Sequence, residues 1–307
     1  MEISVTCSSL ALAKDLDLLN VDNIIIGIKN FSCRFNNYFS IEDVEHLSNE
    51  LKNSQLTICL NSFYFEEDLK ELTEILFKLS KIKINKIMFS DFAIPQIIFE
   101  NNLIFNLQYA PETLVTSYGQ FDFYLKNNIK SVVIATELTW LELNKIIENK
   151  SDMKIAIKAH GLGFVMYSRW PMISNYRDDN NFLKDEFNNI DYLLIKEEKR
   201  LLPNLIYEDD KGTHMMTGYY ICSIKKILEM KQKGMDEIII DSLFIEDNNL
   251  KEIIDYYINC LNLKYDAISL NQIWTRIKSI SKFPISEGFF GETKDVLHTL
   301  EVDNHDN

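Results

Sequence analysis

The chain has 307 residues, 46% hydrophobic and 25% charged, with nine Gly and five Pro, which excludes disorder or a fibrous repeat for its bulk and suits one α/β unit of barrel size. Its 46 acidic against 32 basic side chains leave a net charge of -14, which repels phosphate backbones at long range and excludes unaided, non-specific nucleic-acid binding. No window approaches the roughly 18 apolar residues of a membrane span, and the N-terminus MEISVTCSSLALAKDLD lacks a basic n-region, so the expectation is a cytoplasmic protein without a membrane partner.

In chain order, short β-branched or apolar runs occur as ISVT at 3–6, NIIIGI at 23–28, LTICL at 56–60, KIMF at 86–89, IFNLQ at 104–108, SVVIA at 131–135, KIAIKA at 154–159 and EIIID at 237–241. Each predicts a buried strand. Between them, 41–53, 66–80, 113–126 and 138–149 carry apolar residues at three- and four-residue spacing, the pattern of crossover helices. Alternating strands and helices imply a parallel sheet, and eight strands with no GxGxxG or GxxxxGK[ST] behind them predict a TIM-like (β/α)₈ barrel rather than an open sheet.

Seven strand units fall within the first 160 residues, so the barrel carries an insertion at about 160–236 between strands seven and eight. Within it, DYLLIKE and NLIYED predict a hairpin and 219–233 a returning helix. The reading is a single barrel domain over 1–300 with a polar tail at 301–307. Loops behind strand C-termini form the active face of such barrels, which places the residues after 154–159 at the mouth.

That stretch, KIAIKAHGLGFVMYSRWPMISNYRD, holds four Lys or Arg and no acid up to Arg177, a local inversion of the overall charge. Arg169 and Arg177, with Ser168 and Tyr176, form a candidate anion site, since guanidinium forks match carboxylates and phosphates; solvated pairing with Asp178, Asp179 or Glu197 explains the same residues. His160 at the strand end and His214 in DDKGTHMMTGYY are candidate catalytic groups, because imidazole titrates near neutrality. Two histidines without a patterned carboxylate define no metal site. The five cysteines, Cys7, Cys33, Cys59, Cys222 and Cys260, never form a CxxC pair, so reduced thiols are expected, and Cys222 reads as a buried thiol inside an apolar helical pattern. No GxSxG elbow or HExxH helix supports hydrolysis.

Several segments recur together in register: VTCSSLALAKDLDLLNVDNIIIG, Arg34 behind an aromatic-rich loop, LTICLNSFY with Asn61, SDFAI with Asp91, TELT with Glu137, AHGLGFVMYSRWPMISNYR, DDKGTHMMTGYYIC and EGFFGET. Across nearly its whole length the chain resembles the collagenase-like peptidase family U32, in its short form. The resemblance implies a TIM-like barrel and oxygen-independent hydroxylation, here of the tRNA wobble uridine in a prephenate-linked route. It also marks Arg34, Asn61, Glu137 and Asp241 as substrate- or anion-binding positions.

Several family members bind a [4Fe-4S] cluster through four cysteines, the first within an HGxxC element. Phe164 stands at that position here, and Cys222 is the only counterpart of a ligand. One thiolate cannot hold a cubane cluster, so no cofactor is expected. Short family members often stand beside a longer paralogue, which implies a supporting subunit, with tRNA reached through the complex and a small anionic substrate such as prephenate as a candidate ligand. The alternatives are a peptidase, as the family name says, and a non-catalytic interaction protein. An anion on Arg169 or Arg177 would mark a working site; a mouth filled by Phe164, Trp170 and Met172 would mark a structural role.

Overall fold

The computed structural model describes residues 1–179, 191–198, 202–262 and 267–290. The expected tail at 301–307 lies outside them.

Eight parallel strands close a barrel. They are β1 (Glu2–Cys7), β2 (Asn23–Gly27), β3 (Gln55–Leu60), β4 (Lys86–Phe89), β5 (Leu107–Tyr109), β6 (Ile129–Ile134), the first part of β7 (Lys154–Ser168) and β11 (Glu237–Ile240), which pairs with both β7 and β1. Strand alternation divides the core. Ile24, Ile26, Ile58, Ile155 and Ile157 turn outward to the main core beneath the helices, while Ile25, Cys59, Met88, Ala156 and Ile239 form a smaller cluster inside the barrel.

The surrounding helices are α1 (Leu10–Leu18), α2 (Ile41–Glu50), α3 (Leu69–Leu79), α4 (Ala93–Glu100), α5 (Phe121–Lys126) and α6 (Trp140–Glu148). Capping boxes at Ser40 with Asp43 and at Thr139 with Glu142 fix where α2 and α6 begin, by satisfying backbone N–H groups that the first turn leaves free. The N-terminal end of the barrel is closed by a buried polar group. Lys86 Nζ lies 2.6 Å and Gln108 Nε2 2.8 Å from Glu237 Oε2, and Ser4 donates to the other carboxylate oxygen.

The insertion is a second, antiparallel sheet built on the same strand. β7 runs on for 15 residues, leaves the barrel beyond His160 and pairs with β10 (Gly212–Cys222), which pairs in turn with β9 (Asn204–Asp209) and β8 (Leu193–Ile195). Helix α7 (Met172–Asp179) joins this sheet, and α8 (Ile227–Lys233) leads back to β11. Helices α9 (Asp247–Leu261) and α10 (Ala267–Ile280) and the short β12 (Ile285–Ser286), parallel to β10, complete the chain.

Four expectations are corrected. The expected returning helix at 219–233 is helical only over Ile227–Lys233; Tyr219 to Cys222 belong to β10, because a short, fully buried apolar run looks alike in a strand and a helix. Cys222 therefore sits on a strand, opposite His160 of β7. The fifth strand is Leu107–Tyr109 rather than 104–108, with Ile104 fully out in solvent. Of the helix expected at 113–126, a 3₁₀ turn at Tyr118–Gln120 and α5 are formed. No helix among the described residues is long and apolar enough to cross a membrane.

Candidate functional site

At the C-terminal mouth of the barrel four charged side chains meet. Arg34 follows β2, Glu112 follows β5, Lys158 projects inward from β7 and Asp241 directly follows β11. Arg34 Nη2 lies 3.3 Å from Glu112 Oε1, and Lys158 Nζ is 3.7 Å from Glu112 Oε2 and 3.0 Å from Asp241 Oδ2. Arg34, Lys158 and Asp241 are buried. Burial alone would push the Glu112 carboxyl up, but Lys158 and Arg34 hold it below its ordinary value. Burial alone would lower the Lys158 ammonium, but Glu112 and Asp241 raise it. Glu112 and Lys158 thus stay ionised.

The backbone is strained at this place. Arg34 has φ 65° and Glu112 φ 68°, a left-handed region that side chains other than Gly seldom adopt and that is concentrated at functional sites. Asp241 is further fixed by Thr6, whose hydroxyl donates to Oδ1 at 3.2 Å and accepts from the Ser242 amide at 2.7 Å. Asn61 is buried beside them and accepts from the Cys33 amide at 2.9 Å through Oδ1. Together they border a cavity of about 60 Å³ whose inner wall is the apolar barrel cluster.

The second sheet covers this mouth as a roof. Phe164 of β7 lies against the Arg34 guanidinium, 5.1 Å from ring centroid to Cζ. Tyr167 stacks on Phe63 at 5.1 Å, and Arg169 lies 3.6 Å over the Phe65 ring and 3.6 Å from Glu67. His214 is buried in the same sheet, with its ring 4.9 Å from Tyr207 and 5.2 Å from Tyr167 and Nε2 3.0 Å from Asp209 Oδ1. Burial raises the Asp209 carboxyl, but the hydrogen bond from His214, the Lys211 amide and the Arg34 charge together hold the group below its ordinary value. His214 Nδ1 and Tyr207 Oη have no hydrogen-bond partner among the described residues.

Of the positions singled out in the sequence, Arg34, Asn61 and Asp241 come together at the mouth, and His214 lies in the roof above it. The others do not join them. His160 is fully buried in the outer layer between Tyr220 and Tyr257, at ring distances of 6.0 and 5.9 Å, with neither ring nitrogen hydrogen-bonded among the described residues. Burial pushes its pKa down to about 3, which keeps the imidazole neutral. Ser168 accepts from the Trp170 amide at 3.2 Å. Tyr176 and Arg177 lie on α7, where Arg177 Nη2 is 3.1 Å from Ser174 Oγ. Glu137 is exposed before α6. Trp170 and Met172 are also exposed, so of the three side chains expected to fill the mouth, Phe164 alone reaches it.

Of the charged group, the sequence shows Lys158 only as one of the four cations of 154–177, with outward projection from the strand as the alternative, and does not single out Glu112; the structure turns Lys158 inward. Lys158 was readable: in β7 the outward Ile155, Ile157 and Ala159 alternate with Ala156 and Lys158, which must face inward. Glu112 lies in a loop and left no periodic signal.

The residues present do not fit an iron-sulfur cluster. Phe164 faces Arg34, whereas the Cys222 thiol lies 3.9 Å from the Tyr257 hydroxyl and is pushed up to about 12 by burial, so the two positions share no pocket. Among the described residues no group of three or more His, Cys, Asp or Glu could hold a metal ion.

Comparison with known proteins agrees with this architecture. The model of peptidase family U32 matches residues 10–300. The chain is 25% identical over 303 residues to tRNA hydroxylation protein P2 of Bacillus subtilis, covering 94% of this chain and 97% of that one. It is 27% identical over 162 residues to an uncharacterised protease of Methanocaldococcus jannaschii, covering 50% of this chain and 39% of the relative. A solved U32 peptidase superposes with a TM-score of 0.51 at 10% identity, over 78% of this chain and 92% of that one, a likeness of fold. The chain belongs to peptidase family U32.

Proposed function

We propose that this chain is a subunit of a tRNA hydroxylation system acting on the wobble uridine in the cytoplasm. The observation that carries the reading is the end-to-end similarity to tRNA hydroxylation protein P2, 25% identity with 94% and 97% of the two chains covered. The closed charged mouth supports a binding role for the barrel. The cysteine positions support a division of labour in which a longer, cysteine-complete paralogue carries the redox cluster and this chain holds no cluster of its own. Deleting the gene, together with any duplicate, and measuring 5-hydroxyuridine derivatives in tRNA by mass spectrometry tests the proposal. Loss of the modification is expected; unchanged levels contradict it.

A peptidase reading has the family name behind it and little else. The His160 ring nitrogens have no hydrogen-bond partner among the described residues and Cys222 carries a raised thiol pKa, so neither is an activated nucleophile or base.

A further inference from the structure

Arg34 is 6% exposed, yet only its Nη2 meets an acceptor; Nε and Nη1 have no hydrogen-bond partner among the described residues. A buried donor left unmade costs about 1–3 kcal/mol, more when charged, and such groups in folded proteins are usually answered by a ligand or water. Arg34 borders the barrel cavity, whose walls include Ile25, Phe35, Met88 and Val133. An apolar pocket with a few convergent polar groups is the usual form of a small-molecule site.

Charge decides the class of ligand. Arg34 and Lys158 are already opposed by Glu112 and Asp241, so the formal charge of the mouth sums to zero, and Asp209, held by His214 in the roof, adds a further carboxylate nearby. An incoming anion would face three carboxylates at low dielectric, where unbalanced charge is expensive. A neutral acceptor would answer the free Arg34 N–H groups without that cost. The cavity volume of about 60 Å³ corresponds to several waters, on the order of four, which suits one ring rather than a whole nucleotide.

We propose that the barrel cavity binds a neutral, planar ring bearing carbonyl acceptors, that Nε and Nη1 of Arg34 donate to those oxygens, and that the balanced charge of the mouth excludes carboxylates and phosphates. Arg34 is then the specificity-determining residue of the site. The inference rests on the proposed tRNA function only for the choice of ring as probe. Binding to the purified full chain is measured by titration calorimetry with 1-methyluracil as the neutral probe and benzoate and inorganic phosphate as anionic ones. Saturable binding of 1-methyluracil is expected, weakened about tenfold or more by Arg34→Met, without competition from either anion. Arg34→Lys, which keeps the charge and loses both free donors, is expected to lose binding similarly and serves if Arg34→Met does not fold. Tighter binding of benzoate or phosphate, 1-methyluracil binding indifferent to the substitution that folds, or no saturable binding overturns the inference. Because the gene-deletion measurement reads tRNA directly, it can succeed while this site assignment fails, and the reverse.

Discussion

His160 and Lys158 are two residues apart on one strand and have opposite fates. Lys158 points into the barrel and is neutralised by Glu112 and Asp241, whereas His160 points into the helix layer with its ring flanked by Tyr220 and Tyr257. For His160 the folded pKa of about 3 lies below the ordinary 6.5, so the unfolded chain takes up the proton first. Its contribution to stability is complete above pH 6.5 and is lost as the pH falls toward 3, at about 1.4 kcal/mol per pH unit. Between pH 6.5 and 5, urea denaturation should show the wild type losing about 2 kcal/mol more than His160→Phe; equal losses would show that the imidazole is solvated. Removing Lys158 leaves Asp241 and Glu112 without their shared counter-ion. Lys158→Met is expected to destabilise by about 3–5 kcal/mol, read from the same denaturation curves, unless a second substitution of Asp241 restores balance. The sequence made Arg34, Asn61 and Asp241 legible through the family resemblance and left Glu112 hidden, since a loop residue with φ 68° belongs to no repeating pattern.

At the scale of elements, the barrel was readable because most strands are short β-branched or apolar runs, and KIMF matches β4 (Lys86–Phe89) residue for residue, whereas β5 is only Leu107-Gln108-Tyr109 and was misplaced. The roof was half readable. The β8–β9 hairpin follows from its apolar runs, but the continuation of β7 through HGLG was obscured by two glycines that suggest a loop. Both are required by close packing: at Gly161, with φ 123°, a Cβ would stand 2.7 Å from the Asp241 Cβ, and at Gly163 2.9 Å from the Thr217 methyl. The same logic applies on β10, where a Cβ at Gly218 would fall 1.7 Å from the Pro203 carbonyl oxygen. Gly218→Ala must therefore separate these two segments and loosen the roof while the barrel keeps its own strand pairing. Limited proteolysis should then cut within 204–222 well before the barrel, and a cleavage pattern identical to wild type would contradict the role given to this contact.

For the whole molecule, the net charge of -14 and the balanced mouth point the same way. The mouth carries no excess positive charge to draw in a phosphate backbone, so the proposed function assigns the holding of tRNA chiefly to the partner subunit. In gel-shift titrations at physiological salt the chain alone should not retain tRNA, and retention should require the longer paralogue; tight binding by the isolated chain contradicts this division. The central claim, that this barrel serves tRNA hydroxylation through the Arg34 site, is tested most directly in the deletion strain. The measurement is the 5-hydroxyuridine content of tRNA after re-expression of the wild type, Arg34→Met or Arg34→Lys at equal protein levels. Restoration by the wild type with at least tenfold less by both variants is predicted, on the cost of losing hydrogen bonds to a charged group. Full restoration by either variant, or none by the wild type, contradicts it.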